Sequence, residues 1–150
     1  MAGNLKQRLI KAGRDFNFAE GVKVLNSTTS VITKDTIVRV VGYEGPFLKV
    51  DKIFTTAVGT AKEAQGRLMI MKHDLPASGY GVALPWKLVV TALNFSSKAV
   101  GDVVYGAANG GVALTDGGGA KDRIVGHVID NSATAGAYLF SGEIDKQELP

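Results

Sequence analysis

Few side chains in this 150-residue sequence have the chemistry of catalysis or metal binding. It contains two histidines, His73 and His127, and no cysteine, so a thiolate nucleophile, a thiolate metal site and a disulfide are excluded within it. Neither histidine belongs to a metal-type spacing such as His-Glu-x-x-His. Asp74 follows His73, but adjacent residues of a strand face opposite ways, so the pair does not predict an oriented general base. We expect both histidines to be structural.

Two further stretches resemble functional motifs only in part. One is Ile70-Met71-Lys72, which is similar to the lysine-bearing hairpin of biotinyl carrier domains, although the wider pattern of that family is missing. The other is glycine-rich, residues 117–121, but it fits neither the Walker spacing nor the dinucleotide fingerprint. We therefore expect no enzymatic activity and no cofactor. A small β-barrel carrier or enzyme domain that uses Lys72 or His73 is kept as an alternative.

Runs of β-branched and aromatic residues predict the strands that must carry any site. Residues 36–43 and 47–54 predict two strands joined by a turn at Glu44-Gly45-Pro46, and we expect these strands to pair. Residues 67–72 are apolar on both faces, which favours a central core strand, with a strand that lies under a partner subunit as the alternative. The proline at position 85 interrupts the next strand-like run and predicts an edge or a bulge there.

The last third of the chain has the pattern of an antiparallel meander. Between residues 100 and 144, short apolar runs alternate with clusters of Gly, Asn, Asp and Ser. Asn109-Gly110 predicts a hairpin turn, since both residue types accept positive φ. We expect the single tryptophan, Trp86, to be a packing residue at the core or its rim.

These patterns together predict an all-β fold. The chain has the length of one domain. We expect a compact antiparallel β-barrel or sandwich, β-tulip-like, over residues 21–150, preceded by an extended N-terminal arm over residues 1–20. No stretch approaches the ~20 apolar residues of a membrane-spanning helix, and no signal peptide is visible, so we expect a protein made and used in solution.

The N-terminal arm carries the clearest binding signal. The overall charge is +3, and the first 14 residues hold four basic side chains and no acidic one. Such a segment suits nucleic acid or an acidic protein surface, and a solvated terminus without a partner is the alternative. Its apolar residues recur at near-helical spacing, but the stretch is too short for a helix that is stable alone. The candidate binding residues are Leu5, Lys6, Arg8, Leu9, Ile10, Lys11, Arg14, Phe16 and Phe18.

The order of strands and turns after residue 76 resembles a known family. Pro76-Ala77 and the run from 79 to 90 are followed by Ala99-Val100-Gly101-Asp102-Val103-Val104-Tyr105. A glycine-rich stretch then leads to Arg123-Ile124-Val125-Gly126-His127-Val128. This order is similar to that of the small capsid decoration proteins of tailed bacteriophages, over about residues 76–144. The N-terminal half departs from the shorter members of that family.

The resemblance implies a structural role in a virion. A member of this family binds the outer surface of the expanded capsid as a cement protein and clamps neighbouring major capsid subunits, often as a trimer. We therefore expect the partners to be the major capsid protein and further copies of the chain, with no direct nucleic-acid contact and no membrane. The protein would be made in the host cytoplasm and end on the capsid exterior. A minor virion protein, such as a head fibre base, is the alternative within the same context.

Overall fold

Ten strands dominate the computed structural model, which describes residues 21–55, 66–115 and 123–142. The predicted arm, residues 1–20, the glycine-rich stretch 117–121 and Ile144 lie outside these ranges. The strands are β1 (Val22–Asn26), β2 (Ile37–Glu44), β3 (Phe47–Lys52), β4 (Leu68–Met71), β5 (Tyr80–Leu84), β6 (Trp86–Val90), β7 (Val103–Gly106), β8 (Val112–Ala113), β9 (Ile124–Asp130) and β10 (Ala137–Ser141).

The first five strands close into a small barrel in the order β1-β3-β2-β4-β5. Neighbouring strands are antiparallel, except that β1 and β3 are parallel. The predicted pairing of β2 with β3 is confirmed, with Val38 opposite Lys52 and Glu44 opposite Phe47. Because strand side chains alternate between faces, every second residue points into the barrel. The barrel core includes Val24, Val38, Val50, Met69, Met71 and Ala83.

The other five strands form an antiparallel sheet in the order β6-β10-β9-β7-β8. One face of this sheet packs against the outside of the barrel. The shared core takes Ile37, Phe54, Leu68 and Ile70 from the barrel side and Val89, Val104, Val125, Tyr138 and Phe140 from the sheet. The predicted all-β fold is confirmed, as a closed barrel with a second sheet packed against it.

Strand β4 belongs to both cores. Met69 and Met71 point into the barrel, whereas Leu68 and Ile70 face the second sheet. All four side chains are buried. The prediction of a central strand that is buried on both faces is confirmed.

The two sheets are joined where the chain passes Pro85, which separates β5 of the barrel from β6 of the second sheet. Gly142, after β10, donates its N–H to the Pro85 carbonyl at 3.0 Å and accepts the Leu68 N–H at 3.1 Å. A Cβ at Gly142 would lie 1.7 Å from the Leu68 carbonyl oxygen, so this approach of two backbones requires glycine. Strand β6 lies at an edge, as the proline predicts.

The Asn109-Gly110 turn joins β7 to β8, and both residues have positive φ, 56° and 77°. The connection is longer than a two-residue hairpin because it contains a short 3₁₀ turn, Ala108–Gly110. The N–H groups of Asn109 and Gly110 donate to the carbonyls of Phe54 and Ile53, each at 3.0 Å. The turn thus docks on the barrel, a contact that the local sequence pattern does not predict.

Candidate interaction surfaces

The two histidines belong to different parts of the fold, the loop after β4 and a strand of the second sheet. His73 follows β4, and its Nδ1 lies 3.1 Å from the backbone oxygen of Asp74. The Asp74 carboxylate instead accepts the backbone N–H of Lys34 at 2.8 Å. His127 lies on β9 of the second sheet. Within residues 21–55, 66–115 and 123–142, no group of three or more His, Cys, Asp or Glu residues could hold a metal ion.

Lys72 is exposed at the end of β4, and its backbone N–H donates to the Val82 carbonyl at 3.2 Å. The tip of the β4–β5 connection comes later, where the Gly79 N–H donates to the Pro76 carbonyl at 2.9 Å. Lys72 therefore lies beside the strand and not at the apex of the turn. This position differs from the lysine-presenting hairpin of the carrier alternative.

The second sheet has an apolar face that points away from the barrel. We call it the outer face and define it by its exposed side chains: Trp86, Leu88, Val90, Ile129 and Leu139. Cross-strand pairing makes it continuous, because Leu88 lies opposite Leu139, and Leu139 lies opposite His127. Directly opposed residues share one face of a sheet. A contiguous exposed apolar patch of this kind marks an interaction surface.

Trp86 contributes to this surface, contrary to a role in the core. Its side chain is 53% exposed, and Val90 on the same strand is 65% exposed. Val89, between Leu88 and Val90, is buried against the barrel. The alternation of β6 therefore directs its largest residue outward, and Trp86 is not part of the core formed by the described residues.

Strand β6 also presents a free edge. It terminates the second sheet, so within the described residues β10 is its one strand neighbour. Natural sheets protect such edges with outward lysines. Lys87 of β6 is instead turned inward, because its Nζ forms an ion pair with Asp35 Oδ1 at 2.5 Å. Among the described residues, the outer face and the edge are thus adjacent and form an apolar surface that no outward lysine of β6 protects.

The two ends of the barrel differ. At one end, the side-chain amide of Asn26 donates to the carbonyls of Ser30, Leu75 and Pro76 at 2.7–3.2 Å. Ile32 and Leu75 pair there and are fully buried, so this end is closed. At the other end, a cavity of about 240 Å³ is lined by Val22, Val40, Leu48, Arg67, Met69 and Pro85. We call this cavity the barrel mouth.

A second cavity, of about 360 Å³, opens between the barrel and the second sheet, and Asp35, Val89 and Tyr138 are among its lining residues. Tyr138 is only 2% exposed. Burial raises the pKa of its phenol well above the ordinary value, and the negative charge of Asp35 raises it further. The phenol therefore stays protonated in the folded protein at pH values where it ionises in the unfolded chain.

We expect the buried phenol of Tyr138 to make the free energy of unfolding decrease as the pH becomes alkaline. Above about pH 10 the unfolded chain loses the phenol proton while the folded protein keeps it, so stability is present below that pH and falls as the pH rises. The slope from this one group is at most about 1.4 kcal/mol per pH unit. Between pH 9 and 11, the free energy of unfolding of Tyr138→Phe, measured with urea, should fall less steeply with pH than that of the unsubstituted protein. Tyr43→Phe, which changes a 78% exposed side chain in the same way, should leave the slope unchanged.

The nine candidate residues of the arm, from Leu5 to Phe18, all lie outside the described residues. The outer face was not predicted from sequence, although the alternation Trp86, Leu88, Val90 is visible there.

No helix in the described part of the chain is long and apolar enough to cross a membrane. No protein-family model matches the chain, and neither a curated protein nor a solved structure matches it.

Proposed function

We propose that this chain is a structural virion protein that binds the outer surface of an expanded phage capsid and stabilises contacts between major capsid subunits. The observation that carries the proposal is the outer face with its adjacent free edge, an apolar surface suited to permanent assembly. The order of strands and turns from residue 76 to 144, which resembles capsid decoration proteins, supplies the biological context.

The two candidate surfaces differ in chemistry and are assigned to different partners. The outer face is apolar, with uncharged side chains at Trp86, Leu88, Val90, Ile129 and Leu139, as in interfaces between obligate subunits. We assign it to contacts between copies of the chain, with a trimer as the favoured oligomer. The arm is assigned to the major capsid protein, because the basic, acid-free stretch over its first 14 residues favours an acidic surface. An oligomer then engages several capsid subunits at once and gains avidity.

The decisive experiment is to image expanded capsids after incubation with the purified protein. Many copies at local threefold positions are the expected result. A single-vertex location would favour the alternative of a minor virion protein such as a head fibre base. Absence of bound protein at concentrations that saturate a decoration lattice would contradict capsid binding altogether. Light scattering of the free protein tests the oligomer separately, and a monomer would contradict the assignment of the outer face.

The carrier or enzyme alternative makes a different prediction for Lys72 and His73. A carrier domain would bear a covalent modification on Lys72, which mass spectrometry of the protein from its natural host would detect. Neither Lys72→Ala nor His73→Ala should impair capsid binding under the structural proposal. Both residues lie near the closed end of the barrel, away from the outer face.

A further inference from the structure

The two edges of the second sheet, β6 and β8, border the same cavity. They are the first and the last strand in the order β6-β10-β9-β7-β8. Val90 of β6 and Val112 of β8 nevertheless both line the cavity of about 360 Å³ that opens between the barrel and this sheet. The sheet therefore curves until its edges face each other, as in a barrel that lacks one strand. We call the space between Val90 and Val112 the edge gap.

The backbone of β6 directs hydrogen-bonding groups away from its own sheet and toward the edge gap. In an antiparallel pair, every second residue bonds to the partner strand. Thr91 donates its N–H to the Gly136 carbonyl at 2.8 Å, and Val90 lies opposite Ala137. In this register the N–H and C=O groups of Leu88 and Val90 point away from β10. Among the described residues, no hydrogen bond satisfies these groups.

The edge at β8 is unpaired in the same way. Ala107 donates its N–H to the Gly111 carbonyl at 2.8 Å, and Val112 lies opposite Gly106, the next pair in this register. The N–H and C=O groups of Val112 therefore point away from β7, and within the described part of the chain they have no partner either. Val112 is half-buried. Folded proteins leave few buried backbone groups unpaired, so this edge favours the addition of a strand.

A side chain that lines the edge gap also lacks a hydrogen-bond partner. Tyr138 is only 2% exposed, yet its hydroxyl forms no hydrogen bond with the described residues. The Asp35 carboxylate lines the same cavity and forms its ion pair with Lys87 through Oδ1. A buried phenol normally has a hydrogen-bond partner. The gap therefore suits an incoming side chain that both donates and accepts, as the hydroxyl of threonine or serine does.

We propose that the edge gap binds an extended segment of a partner protein, which inserts as a strand between β6 and β8. Paired strands lie about 4.8 Å apart, so one inserted strand bonds to both edges and closes the sheet into a six-stranded barrel. Its side chains alternate, with apolar ones beside the outer face and hydroxyl-bearing ones toward Tyr138. The described strands of a second copy do not fit, because each already pairs with a neighbour, whereas an inserted strand needs both edges free. The inference does not depend on capsid binding.

NMR of the isotope-labelled protein tests insertion with a defined probe, the capped peptide Lys-Val-Thr-Val-Thr-Val-Lys. In the free protein, the amide protons of Leu88, Val90 and Val112 should exchange quickly with solvent, and that of Thr91, which is hydrogen-bonded, slowly. Addition of the peptide should shift the resonances of the edge amides and slow their exchange. The matched control is the same peptide with an N-methyl group on each valine. Those valines cannot donate to the edge that they face, so the control should bind about tenfold more weakly.

A proline tests the edge from the side of the protein. Val90→Pro removes the N–H that points into the gap but keeps the hydrogen bonds to β10, and it should weaken peptide binding by about tenfold. The matched control is Val100→Pro. Val90 is 65% and Val100 63% exposed, and Val100 is the second residue of a turn closed by the Asp102 N–H and the Ala99 carbonyl. Gly101, the third residue, has a φ of 98°, so the turn suits proline and the control should bind normally.

Any of three results overturns the proposal. The first is an unchanged spectrum at about 1 mM peptide, which is the weakest affinity that such a contact could usefully have. The second is equal binding of the methylated and unmethylated peptides, which needs no protein variant to fold. The third is slow exchange of the edge amides in the free protein, because a segment of the chain itself would then fill the gap. Each result would leave capsid binding, which is measured on particles, unaffected.

Discussion

Removal of residues 1–14 is expected to abolish co-sedimentation of the protein with expanded capsids while the soluble oligomer stays intact. The deletion takes away all four basic side chains of the arm, Lys6, Arg8, Lys11 and Arg14, and the apolar residues Leu5, Leu9 and Ile10. It leaves the barrel, the second sheet and the outer face complete. Each oligomer loses every arm at once, so avidity multiplies the effect of the deletion well beyond that of a single site. Sedimentation with purified capsids, quantified by gel, measures it.

A second variant separates the contribution of the arm's charge to capsid binding from the contribution of its length. Replacing the four basic residues with glutamine keeps the arm but removes its charge, and it should weaken binding most at low ionic strength, where screening is weakest. Lys34→Gln, an exposed lysine on a barrel loop, serves as the control and should bind normally. Undiminished binding by the deletion variant would contradict the assignment of the arm to the capsid. Loss of the oligomer in that variant would contradict the assignment of the outer face.

Replacing Asn26 with aspartate is expected to destabilise the fold by at least about 3 kcal/mol. Asn26 is 2% exposed, and its amide nitrogen donates to three backbone carbonyls, those of Ser30, Leu75 and Pro76. A carboxylate at this position removes the donor and places negative charge against those oxygens. An unsatisfied buried polar group costs about 1–3 kcal/mol, and here several are created together. Urea unfolding followed by circular dichroism measures the change.

The same substitution at Asn131 is the matched control. Asn131 is exposed, and its amide donates to a single carbonyl, that of Lys98, at 2.9 Å. Asn131→Asp should change the free energy of unfolding by no more than about 0.5 kcal/mol. If the two variants lost similar free energies of unfolding, the hydrogen bonds of the Asn26 side chain would not be what stabilises the closed end of the barrel.

Local patterns were sufficient for many of the strands. The β-branched runs that become β2 and β3 are visible in the sequence, as is the turn at Glu44-Gly45 between them. The apolar run that becomes β4 predicts burial on both faces, and the strand indeed contributes to two cores. These predictions succeed because strand periodicity and turn chemistry act between residues close in sequence.

Local sequence patterns did not predict the candidate surfaces. The alternation in β6 shows that Trp86, Leu88 and Val90 share a face, but it does not show which face is buried. That choice depends on which side of the second sheet packs against the barrel. Local patterns did not predict the barrel mouth either, since its walls come from five strands or strand ends that are far apart in sequence.

By itself, the sequence predicted an all-β fold, and it showed the absence of cysteine from these 150 residues and a basic, acid-free stretch over residues 1–14. These properties depend on composition and on residues within a few positions of one another. Only the tertiary structure decided that five strands close into a barrel, that Trp86 faces outward and that the described residues leave a cavity at one end of the barrel. The physical reason is that strand pairing and sheet packing join distant residues through interactions that no local pattern specifies.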